Sequence, residues 1–289
     1  MEQRPNILLV VIDCLRADRV LESQRSAKIP TLQSLVERGS AFSHLITVNS
    51  VTIPCMTSMF SGLYPATHGV RGMRGYRIAN KHLLLAEILQ QAGYYTYAEV
   101  TSPLGPHLHL DRGFDEYNLR KGAVHPFVGE WGDGFIARFA NREIKEPWFT
   151  YLHLWEVHQP RFVPDQFNHP DYGDTLYDRA LSGVDARLGQ LMEVLGDNTI
   201  VLVTGDHGEK IPESKLESNI ESQKNFYKKL VGRLFPRKVG RIIDSVATRA
   251  WYRSTRLLQQ VGLLESSLTT LTGHGYHVYD IFVRVPLIL

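Results

Sequence analysis

A chain of 289 residues, 43% of them hydrophobic, can bury a large core as one α/β domain or as one domain with an inserted piece. Its two cysteines, Cys14 and Cys55, supply neither a disulfide framework nor a closely spaced zinc-ligand pair, which points to a reducing compartment. The net charge of +2 conceals an asymmetry: ten Lys or Arg between Lys224 and Arg256 stand against one acid, Asp244, while the rest of the chain holds 22 basic against 29 acidic residues, so attraction to a polyanion is confined to one segment and no nucleic-acid signature stands out.

The N-terminus, MEQRPNILLVVID, has a six-residue apolar run before an aspartate. That is too short for a signal-peptide core or a membrane span, so a cytoplasmic chain, or one peripheral to a membrane, is expected. Ile7 to Ile12 is β-branched and continuous, as in a strand buried on both faces, and Asp13 follows at its carboxyl end. Ligands of open α/β sheets bind at that end, so Asp13 is placed equally for function or for capping the next turn. Ile29 to Gly39 reads as a helix with proline near its start and glycine past its end, and Ala41 to Val48 as an extended run leading to Thr52.

In SVTIPCMTSMFSGLYPATHG, Pro54 reads as the first position of a helix along which Met56, Met59, Phe60 and Leu63 recur toward Gly62. Thr52 is then expected just outside the N-terminus, where unpaired N–H groups and the helix dipole favour an anion. The plainer alternative is that Thr52 only helps to cap the helix. Further helices are expected over His82–Gly93 and Leu176–Leu195, with strands at Tyr94–Val100, Trp148–Trp155 and Asn198–Val203 and a docked turn at LDRGFDEY. Strands alternating with helices predict a three-layer α/β/α sandwich with a largely parallel, mixed central sheet. Three of the first four strands end in acid or histidine: Asp13, Glu156 with His158, and Asp206 with His207. Carboxylates and imidazoles gathered at one sheet edge suggest a metal site of mixed oxygen and nitrogen ligands.

Residues 211–271 break this alternation with a basic helical pattern in which Trp251 and Tyr252 fall among arginines. A helical hairpin on the main domain, a lid, an oligomer contact and a surface that meets anionic membrane all suit it. Gly273-His274-Gly275-Tyr276-His277 then returns histidine beside glycine, and VRVPLIL reads as one more buried strand.

With these residues in view, the sequence resembles the sulfatase branch of the alkaline phosphatase superfamily. The matching pieces come in the family's order: PNILLVVIDCLRAD, IPTLQSLVERGSAF, TIPCMTSMFSGLYPATHGV, LAEILQQAGY, LDRGFDEY, WFTYLHLWEVHQP, VDARLGQLMEVL, NTIVLVTGDHGE and GHGYHVYDIFVRVPLIL. The resemblance implies one catalytic domain with the basic segment as an insert, the C-terminal part of the usual fold lying beyond this chain. It puts the nucleophile on Thr52 and makes Cys55, three residues on, a decoy. Threonine cannot be converted to formylglycine, Met56 replaces the usual following arginine, and Cys14 replaces the second aspartate of the opening pair. Together these imply a threonine-nucleophile branch acting on phosphate esters, small or lipid-linked, with sulfate esters or a non-catalytic binding role as alternatives.

The resemblance further implies one or two divalent ions. Asp13, Asp206 and His207 would hold one that also binds Thr52; His158 and His274, with Glu156, would hold a second or contact the ester oxygens. Zinc or manganese is favoured by histidine ligation, with magnesium or calcium as alternatives. Arg16 is a candidate to neutralise a substrate oxygen, with pairing to Asp18 as its other role. His68 is expected to shape the turn after the nucleophile helix, Asp185 to anchor its own helix, and His277 has weaker claims than His274.

Overall fold

The computed structural model describes residues 4–23, 25–121, 125–211 and 278–289. The chain divides into two units, one comprising Met1–His158, Phe162–Glu209 and His274–Leu289, the other Gln159–Arg161 and Lys210–Gly273. Nearly all of the second unit, including most of the basic segment, lies outside the described residues, as do His274 and His277.

The first unit is built on strands β1 (Asn6–Ile12), β2 (Ala41–Ile46), β3 (Tyr95–Thr101), β4 (Glu116–Arg120), β5 (Trp148–Leu154), β6 (Thr199–Gly205) and β7 (Arg284–Ile288). They form one seven-stranded sheet in the order β2-β7-β6-β1-β5-β3-β4. Every pairing from β6 through β4 is parallel, whereas β7 runs antiparallel to both β6 and β2. The short helix α1 (Asp18–Leu21) follows β1. Helix α2 (Pro30–Arg38) precedes β2, and α3 (Thr52–Ser61), α4 (Pro65–His68) and α5 (Leu85–Gln91) separate β2 from β3. Helices α6 (Glu130–Ala140) and α7 (Leu176–Val194) complete the outer layers.

Strand periodicity sorts the core into two faces. Leu9, Val11, Ala98, Val100, Phe149 and Tyr151 form one cluster with Ile53, Met56 and Phe60 of α3 and Ala86 of α5. On the opposite face Tyr97 stacks on Phe135 of α6, and Trp148 meets Phe139 of that helix edge-on. Leu181, Val184, Leu188 and Leu191, at helical spacing along α7, are fully buried. The sheet is thus a three-layer sandwich with a mixed, mostly parallel centre.

Several boundaries differ from expectation. Helix α3 begins at Thr52, so Thr52 is its first residue and Pro54 its third; extended Val51 precedes it. The segment read as a docked turn ends in strand β4, and α6 was not anticipated. Gly62, at φ +67°, closes α3 by donating its N–H to the Ser58 carbonyl, the left-handed ending glycine accommodates best.

Two buried polar anchors hold the layers. Helix α2 has no side-chain cap of its own; Asp185 of α7 accepts the Leu32 N–H at 2.7 Å and the Thr31 N–H at 3.0 Å instead. Burial pushes the Asp185 carboxyl up to about 6 against these two bonds. The second anchor is His153 of β5, whose Nδ1 pairs with Thr101 Oγ1 of β3 at 2.8 Å while its carbonyl accepts from Arg120 of β4 at 2.7 Å.

Asp185→Ala removes the acceptor from two helix-start N–H groups and is expected to cost about 2–4 kcal/mol in urea unfolding, with Asp185→Asn losing less. Burial drives the His153 pKa down to about 4 from an ordinary 6.5, so the unfolded chain binds the extra proton between those values and stability rises with pH across that window. Asp185 works in the opposite sense, so the informative quantity is a difference. In chelator, the wild type is expected to lose about 3 kcal/mol relative to His153→Gln between pH 6.5 and 4. Parallel pH profiles for the two proteins would contradict this.

Candidate active site

The register of three central strands creates the site. Ile12 of β1 lies level with Leu154 of β5 and Gly205 of β6, so Asp13 and Asp206 emerge side by side at the carboxyl edge. The Asp13 N–H donates to the Leu154 carbonyl at 2.7 Å, which holds Asp13 at the strand end. Asp206 Oδ1 accepts the His207 N–H at 2.8 Å and the Cys14 N–H at 3.1 Å, tying the two strand ends together. Gly208 follows where a Cβ would stand 2.0 Å from the Ile281 carbonyl oxygen, so the backbone after His207 leaves no room for a side chain.

Asp13, Thr52, Asp206 and His207 are all buried. His207 Nδ1 lies 2.9 Å from the Gly208 carbonyl oxygen; a carbonyl only accepts, so this nitrogen carries a proton and Nε2 faces the cluster. Nε2 is 3.3 Å from Thr52 Oγ1, 3.4 Å from Asp206 Oδ2 and 3.6 Å from Asp13 Oδ1. Asp206 Oδ2 is fully buried and accepts no hydrogen bond among the described residues. Two carboxylates, an imidazole nitrogen and a hydroxyl oxygen therefore converge with too few protons between them.

The carboxyls respond accordingly. Burial, then the neighbouring Asp206, pushes Asp13 well above the usual carboxylate range. Burial acts on Asp206 in the same direction, but His207, His153 and the two backbone N–H groups outweigh it and hold Asp206 low. Without added positive charge the pair favours a single ionisation; a divalent ion would let both ionise. The convergent oxygen and nitrogen donors of Asp13, Asp206 and His207, with an orphaned carboxylate oxygen among them, fit such an ion.

Other residues singled out in the sequence fall as follows. His158 joins Asp13 and Cys14 in a second group of ligand atoms within 4.8 Å of one another. Glu156 is not among the groups that converge with Asp13: Oε1 accepts the Phe127 N–H at 2.6 Å, Oε2 accepts the Trp155 N–H at 2.9 Å, and Arg120 stands 3.8 Å away, so both oxygens are engaged in fixing the surrounding loops. Arg16 is engaged by Asp18 through two 2.8 Å bonds and by the Glu209 carbonyl, which favours pairing over substrate contact. His68 accepts the Val70 N–H on Nδ1, so in its neutral form Nε2 carries the proton donated to Ser58 Oγ at 2.9 Å, and His68 is no base toward that serine. Cys55 donates to the Asn49 carbonyl, and burial pushes its thiol up to about 12.

His153 escaped the sequence reading because it alternates within an apolar strand. It lies on the same sheet face as Tyr151 and α3, fully buried, with no hydrogen-bond partner for Nε2 among the described residues. The only signal was the odd position it shares with Tyr151 in YLHL.

Residues 5–121 and 130–232 match the Sulfatase family. The chain is 23% identical over 273 residues to an ulvan-active sulfatase of Formosa agariphila, covering 74% of this chain and 45% of that protein, and so spans about half the length of the curated relative. Among solved structures, the phosphonate monoester hydrolase of Agrobacterium radiobacter aligns at a TM-score of 0.63 and 16% identity, over 99% of this chain and 68% of that one. A 2-O GAG sulfatase aligns at 0.61 and 16%, over 99% and 64%. The C-terminal periplasmic domain of a phosphoethanolamine transferase from Campylobacter jejuni aligns at 0.55 and 15%, over 73% and 71%. With its family match extending over most of the sequence, this chain belongs to the Sulfatase family.

Proposed function

We propose that this chain is a metal-dependent hydrolase or transferase of phosphate esters, with Thr52 as nucleophile and a covalent phospho-threonine intermediate. The observation that carries this is the position of Thr52 Oγ1: at the first residue of the ten-residue helix α3, buried, and 3.3 Å from His207 Nε2 in the Asp13–Asp206 cluster. Support also comes from relatives whose names span a sulfatase, a phosphonate monoester hydrolase and a phosphoethanolamine transferase.

A divalent ion held by Asp13, Asp206 and His207 would lower the pKa of the threonine hydroxyl and offset charge on the ester oxygens. The first-turn N–H groups of α3 suit a tetrahedral anion against Thr52. The bond from Thr52 Oγ1 to phosphorus forms, the ester P–O bond breaks, and the hydroxyl proton ends on the departing alcohol, whose oxygen is held by His158 or by an ion that His158 binds. Water or an acceptor alcohol then cleaves the phospho-threonine. Cys55 is unsuited to the nucleophile's role because its thiol is buried, donates to a carbonyl and stays protonated at neutral pH. A sulfuric ester hydrolase working through Thr52 is the second reading, favoured by the ulvan-active relative.

The test compares aryl phosphate monoester, phosphate diester and aryl sulfate on metal-stripped protein with zinc, manganese, magnesium or calcium restored. Thr52→Ala is expected to lose roughly a thousandfold or more in kcat, as removal of a nucleophile does. Cys55→Ala should stay within about threefold of the wild type, as a residue outside the reacting atoms does. A folded, active Thr52→Ala would overturn the assignment, and faster sulfate turnover that still needs Thr52 would select the second reading.

A further inference from the structure

Cys14 stands where it has no role in the proposed chemistry, yet its surroundings are those of a ligand. It is fully buried, and its backbone is left-handed at φ +66°, a conformation a non-glycine residue adopts only where its surroundings hold it. That turn delivers its N–H to Asp206 and its sulfur to 3.2 Å from Asp13 Oδ1. The sulfur approaches His207 from the Nδ1 side, at 3.8 Å, whereas Asp13 and Asp206 approach Nε2. Sγ therefore belongs to a different position from the Asp13–Asp206–His207 cluster. Its own group is Asp13, Cys14 and His158, with ligand atoms within 4.8 Å of one another, so Asp13 is common to both.

We propose that Asp13, Cys14 and His158 form a second, thiolate-containing metal position that selects a thiophilic ion of the zinc class over magnesium or calcium. The inference rests on the metal-dependent reading of the neighbouring cluster. Three protein donors of oxygen, sulfur and nitrogen are the number such an ion takes at an open site. A thiolate among them disfavours hard cations, which prefer all-oxygen sets. Binding replaces the Cys14 S–H bond with a sulfur–metal bond and releases one proton to solvent.

The experiment titrates the full, chelator-stripped chain with cobalt(II) and follows near-ultraviolet sulfur-to-metal charge-transfer absorption together with metal content. The wild type and Cys55→Ser should show the band, and Cys14→Ser should lose it to background while keeping the neighbouring ion. Asp206→Asn should lose the neighbouring ion and keep the band. Cys14→Asp is expected to bind cobalt without the band and to release it to magnesium, whereas about a hundredfold excess of magnesium should leave the wild-type band intact. Circular dichroism checks that each variant is folded. Cobalt bound through Asp206 with no band, or a band that survives Cys14→Ser, overturns this proposal and leaves the neighbouring site standing. A folded wild-type chain that binds no cobalt overturns both.

Discussion

Two carboxylates brought side by side in a dry interior are the constraint around which the site is arranged. Asp13 and Asp206 leave adjacent parallel strands one residue past the same level of register, and both are buried. The Asp13 N–H is held by the Leu154 carbonyl, and Asp206 Oδ1 by the Cys14 and His207 N–H groups. Burial and mutual repulsion oppose the doubly charged state, so the fold is satisfied by a proton or a cation between them. Tight coupling through the backbone, with the Cys14 N–H on Asp206, makes the two strand ends one unit. A parallel sheet is suited to this because the free ends of its strands, and hence their side chains, point to one edge.

Thr52, the proposed nucleophile, arrives by a different route. Strand β2, antiparallel to β7 and therefore running in the same direction as the central strands, carries the chain to the same edge at the far side of β7, and the turn after it feeds Thr52 into α3. Ile53, Met56 and Phe60 then lock that helix onto the face formed by Leu9, Val11 and Tyr151. Thr52 is thus held by the packing of a whole helix rather than by a loop, and the hydroxyl-to-imidazole distance of 3.3 Å is set by core contacts remote from it. Such remote support is what keeps a reacting group within the few tenths of an ångström that catalysis tolerates.

Much of this was legible from local pattern. The apolar runs of β1, β5 and β6, each followed by acid or histidine, gave both the sheet and the acids at its edge, because buried parallel strands need continuous hydrophobicity and ligand residues follow their ends. What escaped depends on partners distant in sequence. Nothing in WEVH tells that Glu156 would meet the N–H of Phe127 and the guanidinium of Arg120. Helix α6 carries Gly132 and Gly134 in its first turns, which blur its periodicity, while Phe135 and Phe139 supply the apolar stripe that tertiary packing rewards. Pro54 suggested a helix start two residues late, since proline fits any position of the first turn, where N–H groups have no intrahelical partner.

The buried ion pair of Glu156 with Arg120 fixes the chain beside the site. Arg120 comes from the edge strand β4, its guanidinium lies 4.3 Å from the Trp131 ring, and it reaches the carbonyls of His125 and His153 as well as Glu156. Both charged groups are almost wholly buried, and backbone carbonyls and N–H groups satisfy most of the pair's remaining donors and acceptors, Arg120 Nε being left without a partner among the described residues. Its effect is to fix the chain on either side of Leu154, with the His153 carbonyl held from one direction and the Trp155 N–H from the other. His158 follows three residues after Trp155 and donates its N–H to the Trp155 carbonyl. Glu156, with both oxygens engaged by backbone N–H groups and Arg120, thereby helps to govern where His158 stands, whereas Asp206 Oδ2 at the same sheet edge is left without a hydrogen bond among the described residues.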